Sequence, residues 1–195
     1  MTRGKTIVFI DNSNIFHGCK AAGWRPDAKK LIELIETRGS IWQTIFFASA
    51  TDPPRFRQTN FYKFLKESLH FETVILGLSR RTIRCRKCGD IRTSYAEKGV
   101  DVALATRFLS LANTRTYETA VLVSGDKDYL ETVRAVKSMG MRVEIYSWRG
   151  AIGKELASES SADIVYLDDY RGDLQLEGPP DEDAERLLEA EPQNE

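Results

Sequence analysis

The chain has 195 residues, 42% of them apolar, which is enough for one medium domain with a single core and needs no disulfide staples. Its net charge of -1 conceals an uneven distribution: residues 172–195 hold nine acids and one base, so of 28 Lys+Arg and 29 Asp+Glu the body at 1–171 keeps 27 and 20, a charge of +7. No run approaches the roughly 18 apolar residues of a membrane span, the opening MTRGK leads straight into a strand, and an odd three cysteines do not make a secreted disulfide framework, so a soluble cytoplasmic protein is expected.

In chain order, Thr6 to Ile10 (TIVFI) reads as a buried strand, and Asp11-Asn12-Ser13-Asn14 follows as a polar cap to a helix. Pro26-Asp27 opens a helix whose Leu31, Ile32, Leu34 and Ile35 recur at helical spacing until Gly39 stops it. A second strand runs from Thr44 to Ala48, and after the Asp52-Pro53-Pro54 loop Phe56, Phe61, Phe64, Leu65 and Leu69 mark a helical face. Those aromatics could stack on bases, but their spacing predicts core packing. A third strand spans Thr73 to Leu78.

Residues 79–98, SRRTIRCRKCGDIRTSYAEK, then break the rhythm and read as an inserted basic ribbon or loop. Beyond them come a helix from Val100 to Ala112, a strand from Ala120 to Ser124, a helix from Tyr129 to Ser138 ended by Gly140, a strand from Arg142 to Ser147, a short helix near Lys154 and a strand from Ile164 to Leu167. Strands alternating with helices, several of them apolar throughout, predict an α/β domain: a parallel, Rossmann-like sheet covered on both faces. Residues 1–171 form that domain, and the acidic stretch 172–195 with its Gly-Pro-Pro is expected to be a disordered tail.

Three aspartate clusters stand at the edges of apolar segments: IVFIDNSN around Asp11, KGVDV around Asp101, and LVSGDKD around Asp126 and Asp128. Asp11 and Asp126 follow strands, at the carboxyl edge where an open α/β sheet holds its ligands. Asp101 falls in the first turn of its helix, where the positive dipole end favours a carboxylate. Gly125 permits a sharp turn, and Asp126 and Asp128, two apart in an extended loop, would project to one side. Carboxylates within about 4 Å repel by roughly 4 kcal/mol per pair at an effective dielectric near 20. Such a group calls for protons or a hard cation, Mg²⁺ or Mn²⁺. Each cluster alone is also an ordinary helix cap or turn; their convergence carries the expectation.

Taken in order and spacing, IDNSNIF, EKGVDVALA, VSGDKDYLETV and GMRVEIYS resemble the LabA-like group of NYN domains, within the PIN-like nuclease class, over about residues 5–169. The resemblance implies a PIN-like parallel α/β sheet, a carboxylate-lined Mg²⁺ or Mn²⁺ centre and endoribonuclease activity by metal-assisted phosphodiester hydrolysis. Asp11, Asp101, Asp126 and Asp128 match the family's acidic positions as ligands and catalytic groups, with Asn14 and Ser124 as polar neighbours. Lys98 could offset charge in the transition state, and Asp163 falls near a further acid of the pattern.

Arg80, Arg81, Arg84, Arg86, Lys87 and Arg92 concentrate positive charge in the insertion, with Tyr95 close by for stacking. RNA phosphates are their expected target, in single strands whose bases can splay. Cys85 and Cys88 make half of a zinc ribbon; Zn²⁺ there would need Cys19, His17, His70 or a second chain to complete four ligands. A homodimer would widen the RNA surface, and the acidic tail could shield it or bind a protein partner. His17 and His70 are read as ordinary helix or core residues. The rival reading is a non-catalytic RNA- or protein-binding regulatory module on a nuclease-like fold. An adhesion site fails because Ile15 stands where its second serine belongs, and neither GxxxxGK[ST] nor GxGxxG follows any strand.

Overall fold

The computed structural model describes residues 3–51, 54, 56–84, 88–161 and 164–177. Strands β1 (Thr6–Asp11), β2 (Gln43–Ala50), β3 (Glu72–Gly77), β6 (Thr119–Val123), β7 (Arg142–Ser147) and β8 (Val165–Tyr166) form a six-stranded sheet in the order β3-β2-β1-β6-β7-β8, with every pairing parallel. Between β3 and the rest of the chain, β4 (Ser79–Arg84) and β5 (Ile91–Ala96) pair antiparallel as a separate ribbon, Ser79 opposite Ala96 and Arg84 opposite Ile91. The segment at 79–98, read from sequence as a ribbon or loop, thus contains two paired antiparallel strands.

Helices cover both faces of the sheet. Alternate residues of β1 choose the layer: Ile7 and Phe9 join Phe47, Leu122 and Ile145 beneath α4 (Val100–Asn113), α5 (Leu130–Ser138) and α6 (Lys154–Glu159). Val8 and Ile10 face α1 (Asn12–Ala22), α2 (Ala28–Glu36), α3 (Phe56–Glu67) and α7 (Arg171–Leu174), through Ile15, Ile35, Leu65 and Leu174. Because both faces are covered, the central strands are apolar throughout and show no alternation in sequence. Among the described residues, no helix is long and apolar enough to cross a membrane.

Two expectations require correction. The aromatic face of α3 is not core: Leu65 is buried, but Phe56 is 80% exposed and Phe61 and Phe64 are 40% exposed, with Phe61 resting edge-on against Phe46. The helix lies over the sheet margin formed by β2 and edge strand β3, which covers only a narrow stripe of it. Ordered packing also passes the expected boundary at 171. Leu174 of α7 is 1% exposed in the core, Pro26 bridges Gln175, and Leu176 donates its backbone N–H to Arg25 at 2.9 Å. Acidic composition hid one apolar anchor. Residues 178–195, the rest of the predicted tail, lie outside the described residues.

Candidate active site

The strand order reverses direction between β1 and β6, the point where an open parallel sheet leaves a crevice at its carboxyl edge. Register brings the strand ends level there: Ile10 pairs with Val123 and Asp11 with Phe47. Asp11 is the last residue of β1 and the N-cap of α1, and it is 1% exposed. Its Oδ1 accepts from Ser13 Oγ at 2.8 Å and from the Asn14 N–H at 3.3 Å; its Oδ2 accepts from Ser124 Oγ at 3.1 Å and Tyr129 OH at 3.3 Å. Of the four donors that meet this buried carboxylate, Tyr129 OH is shared with Asp101.

The loop after β6 is locked to α1, since the Gly125 N–H donates to Asn14 Oδ1 at 2.8 Å. Gly125 is required there: a Cβ would collide with Ser147 Oγ and the backbone oxygen of Ala151. Asp126 then caps a tight 3₁₀ turn over Lys127–Tyr129, its Oδ1 accepting from the Asp128 N–H at 2.9 Å. That turn replaces the extended loop expected from sequence, so Asp126 and Asp128 do not share one direction. Asp126 lines the pocket; Asp128 is exposed, is not part of the lining, and acts on Asp101 only through its charge.

Asp11, Ser13, Asn14, His17, Glu97, Gly99, Asp101 and Asp126 line one open pocket of about 200 Å³. Asp101, in the first turn of α4, is met by Tyr129 OH at 3.2 Å. Glu97 was missed in the sequence. It follows β5 where the ribbon returns to the domain, and its Oε1 is buried with no hydrogen-bond partner. Burial raises the Glu97 carboxyl above the usual carboxylate range and the charge of Asp11 raises it further, partly offset by the hydroxyls of Ser13 and Ser49. Burial of its carboxyl and the Asp11 charge likewise raise Asp101. Negative charge in this pocket is thus under-compensated by the protein itself.

The neighbouring residues sort by position. Ser124 is fully buried and links Asp11 to the backbone, its Oγ accepting from the Asp126 N–H at 3.2 Å. His17 is a helix residue of α1, as expected, but it is exposed and forms part of the pocket wall. His70 is not core either; it is exposed, with a φ of 55°, in the turn after α3. Lys98 is exposed and outside the lining, where its neighbour Glu97 stands instead.

Of the basic residues expected on RNA, Arg84 is exposed at the end of β4, and register places Arg80 and Arg81 in β4 and Arg92 in β5. Arg86, Lys87, Cys85 and Asp163 lie outside the described residues. Cys88 is an exposed free thiol, whereas Cys19 packs against the core with its thiol pushed up to about 12 by burial, which disfavours the thiolate that zinc requires. Among the described residues, no group of three or more His, Cys, Asp or Glu is drawn together tightly enough to hold a bare metal ion. The pocket around Asp11, with its four carboxylates, could hold a hydrated one.

The chain matches the NYN domain over residues 5–168. It belongs to the NYN domain family. This NYN domain has the PIN-like nuclease fold, and the family is nuclease-like in general. A comparison with curated proteins finds no match. Among solved structures it is similar to a protein of unknown function from Vibrio parahaemolyticus RIMD 2210633, with a TM-score of 0.69 and 19% identity over 90% of this chain and 98% of that one. That likeness supports the α/β fold of the NYN domain.

Proposed function

We propose that this NYN domain is a divalent-metal-dependent endoribonuclease that hydrolyses phosphodiester bonds of single-stranded RNA. The observation that carries the reading is the gathering of Asp11, Glu97, Asp101 and Asp126 on one pocket at the sheet's switch point, with Glu97 Oε1 buried and unpartnered. A cation bound there would supply the partner that Glu97 Oε1 lacks and offset the crowding that raises these carboxyls.

The carboxylates among the lining offer oxygen donors, which suit Mg²⁺ or Mn²⁺ over softer metals. Glu97, Asp101 and Asp126 would hold the ion, in part through water, since Mg²⁺ keeps much of its hydration shell and needs few direct carboxylates. Such an ion would polarise a phosphoryl oxygen and a water molecule. The chain's own groups do the positioning. Asp11, fixed by four donors, presents a negative wall of defined geometry. Tyr129 sets the spacing between Asp11 and Asp101. His17 stands at the pocket wall, where an imidazole can hand a proton to a departing oxygen. The net charge of +7 on residues 1–171 and the arginines of the ribbon attract the polyanion.

The test is incubation of the purified chain with single-stranded and duplex RNA and DNA in Mg²⁺, Mn²⁺ or EDTA, beside Asp11→Asn and Asp126→Asn variants. Metal-dependent cutting of single-stranded RNA that both variants lose supports the enzyme. Binding without cutting in every metal would replace it with the regulatory module.

A further inference from the structure

Helix α3 carries three of the exposed large apolar side chains among the described residues, Phe56, Phe61 and Phe64. At about 100° per residue Phe56, Phe64 and Phe61 fall at roughly 0°, 80° and 140° around the helix, so the three rings spread over one broad face with Arg57 and Asn60 among them. The exposed positions of α3 contain no Leu, Ile, Val or Met; they are Phe, Arg, Thr, Asn, Lys and Glu. The helix has three bases, Arg57, Lys63 and Lys66, against the single acid Glu67. Rings separated by cations and short polar groups, on a helix with an excess of bases, make a stacking platform for bases with nearby phosphates.

The stripe also starts in the right place. α3 follows β2, whose Phe47 is level with Asp11, and Tyr62 on the inner side of the same helix has its hydroxyl pushed up to about 12 by burial and by the charge of Glu97. From Phe56 to Phe64 the helix rises about 12 Å, at 1.5 Å per residue, a span of two or three nucleotides.

We infer that the exposed aromatic stripe of α3 is a base-stacking rail that leads single-stranded RNA to the carboxylate pocket. The inference rests on the nucleic-acid reading above and adds a second contact surface, on α3, to the phosphate-binding role given to the ribbon.

Binding is read separately from cutting. Fluorescence anisotropy of a labelled, mixed-sequence single-stranded RNA is measured in EDTA with the full chain, with a Phe56→Leu/Phe64→Leu pair and with a Phe56→Tyr/Phe64→Tyr pair. Phe61 is left alone because it rests on Phe46. The leucine pair, which keeps apolar area but loses the ring faces, is expected to weaken binding about tenfold or more with an unchanged melting temperature, and the tyrosine pair to bind like the wild type. Duplex RNA binding should be the same for all three. Unchanged affinity in the leucine pair, or an equal loss in the tyrosine pair, overturns the rail. So does a wild-type dimer that Phe64→Glu splits into monomers, which would make the stripe a self-association surface. A wild type that cuts RNA with Mg²⁺ while the leucine pair binds normally sinks the rail and leaves hydrolysis standing; ring-dependent binding without cutting in any metal does the reverse.

Discussion

Asp11 and Asp101, far apart in the chain, meet on one hydroxyl: Tyr129 OH lies 3.3 Å from Asp11 Oδ2 and 3.2 Å from Asp101 Oδ1. A phenol has one proton, so it can donate to only one of the two carboxylates at a time. Burial, then the charges of Asp11 and Asp101, hold that proton on the oxygen far beyond the usual phenol range. The hydroxyl is therefore a fixed spacer that keeps two like charges apart at a set distance.

Tyr129→Phe removes the spacer while the ring keeps its buried place. Loss of the hydrogen bond should cost about 1 kcal/mol in urea unfolding, and metal-dependent cutting should fall roughly tenfold as the carboxylates lose their alignment. Wild-type kcat in the variant would show that Tyr129 has no part in positioning.

The pH dependence of stability follows from Glu97 and Asp101. Both carboxyls are raised in the fold, Glu97 from an ordinary 4.5 and Asp101 from 3.8. Below those values both states are protonated and nothing is lost. As pH climbs past them the unfolded chain releases its protons first, so the metal-free protein loses stability until the folded carboxyls also ionise. Glu97→Gln should therefore raise the melting temperature in EDTA at neutral pH and flatten its decline from the acid side. Added Mg²⁺ should stabilise the wild type more than the variant. A melting profile in Glu97→Gln that parallels the wild type would contradict this account.

Gly125→Ala should cost about 1–3 kcal/mol, because the new methyl meets Ser147 Oγ and the Ala151 carbonyl in a packed turn. The same displacement would loosen the Gly125 to Asn14 bond that aligns Asp126, so Mn²⁺ affinity by isothermal titration should fall along with stability. Equal stability would mean that the loop yields freely.

Asp126 and Asp128 should separate in kinetics. Asp126→Asn removes a pocket carboxylate and should abolish cutting; Asp128→Asn alters only an exposed charge and should leave activity within about tenfold of the wild type. Equal loss in both, measured with saturating Mn²⁺, would place Asp128 in direct contact with the reacting groups.

The positions of Asp11 and Asp126 were legible because a parallel strand buried on both faces is a continuous apolar run, and the acid after it marks the carboxyl edge. Asp101 was legible from its helix start. Glu97 was not, since it ends a charged hairpin whose sequence has no periodicity to orient a side chain. The 3₁₀ turn at Asp126 was hidden for another reason: the hydrogen bond from the Asp128 N–H to Asp126 Oδ1 is a local choice that an aspartate-rich stretch permits without demanding. The aromatics of α3 show the limit of helical spacing as a guide to burial, because spacing reveals a common face but not whether the sheet is wide enough to cover it. His17 likewise became visible only when α1 was placed across the crevice, with the indole of Trp148 against it and donating to the Ile15 carbonyl at 3.1 Å.

The pairing of Ser79 with Ala96 means that the chain departs from the margin of the large sheet and comes back at the same spot. β4 and β5 leave and rejoin the domain side by side, and the returning strand runs directly into Glu97 of the pocket. A shift in the register of that ribbon would therefore reach the carboxylate pocket through a single peptide step.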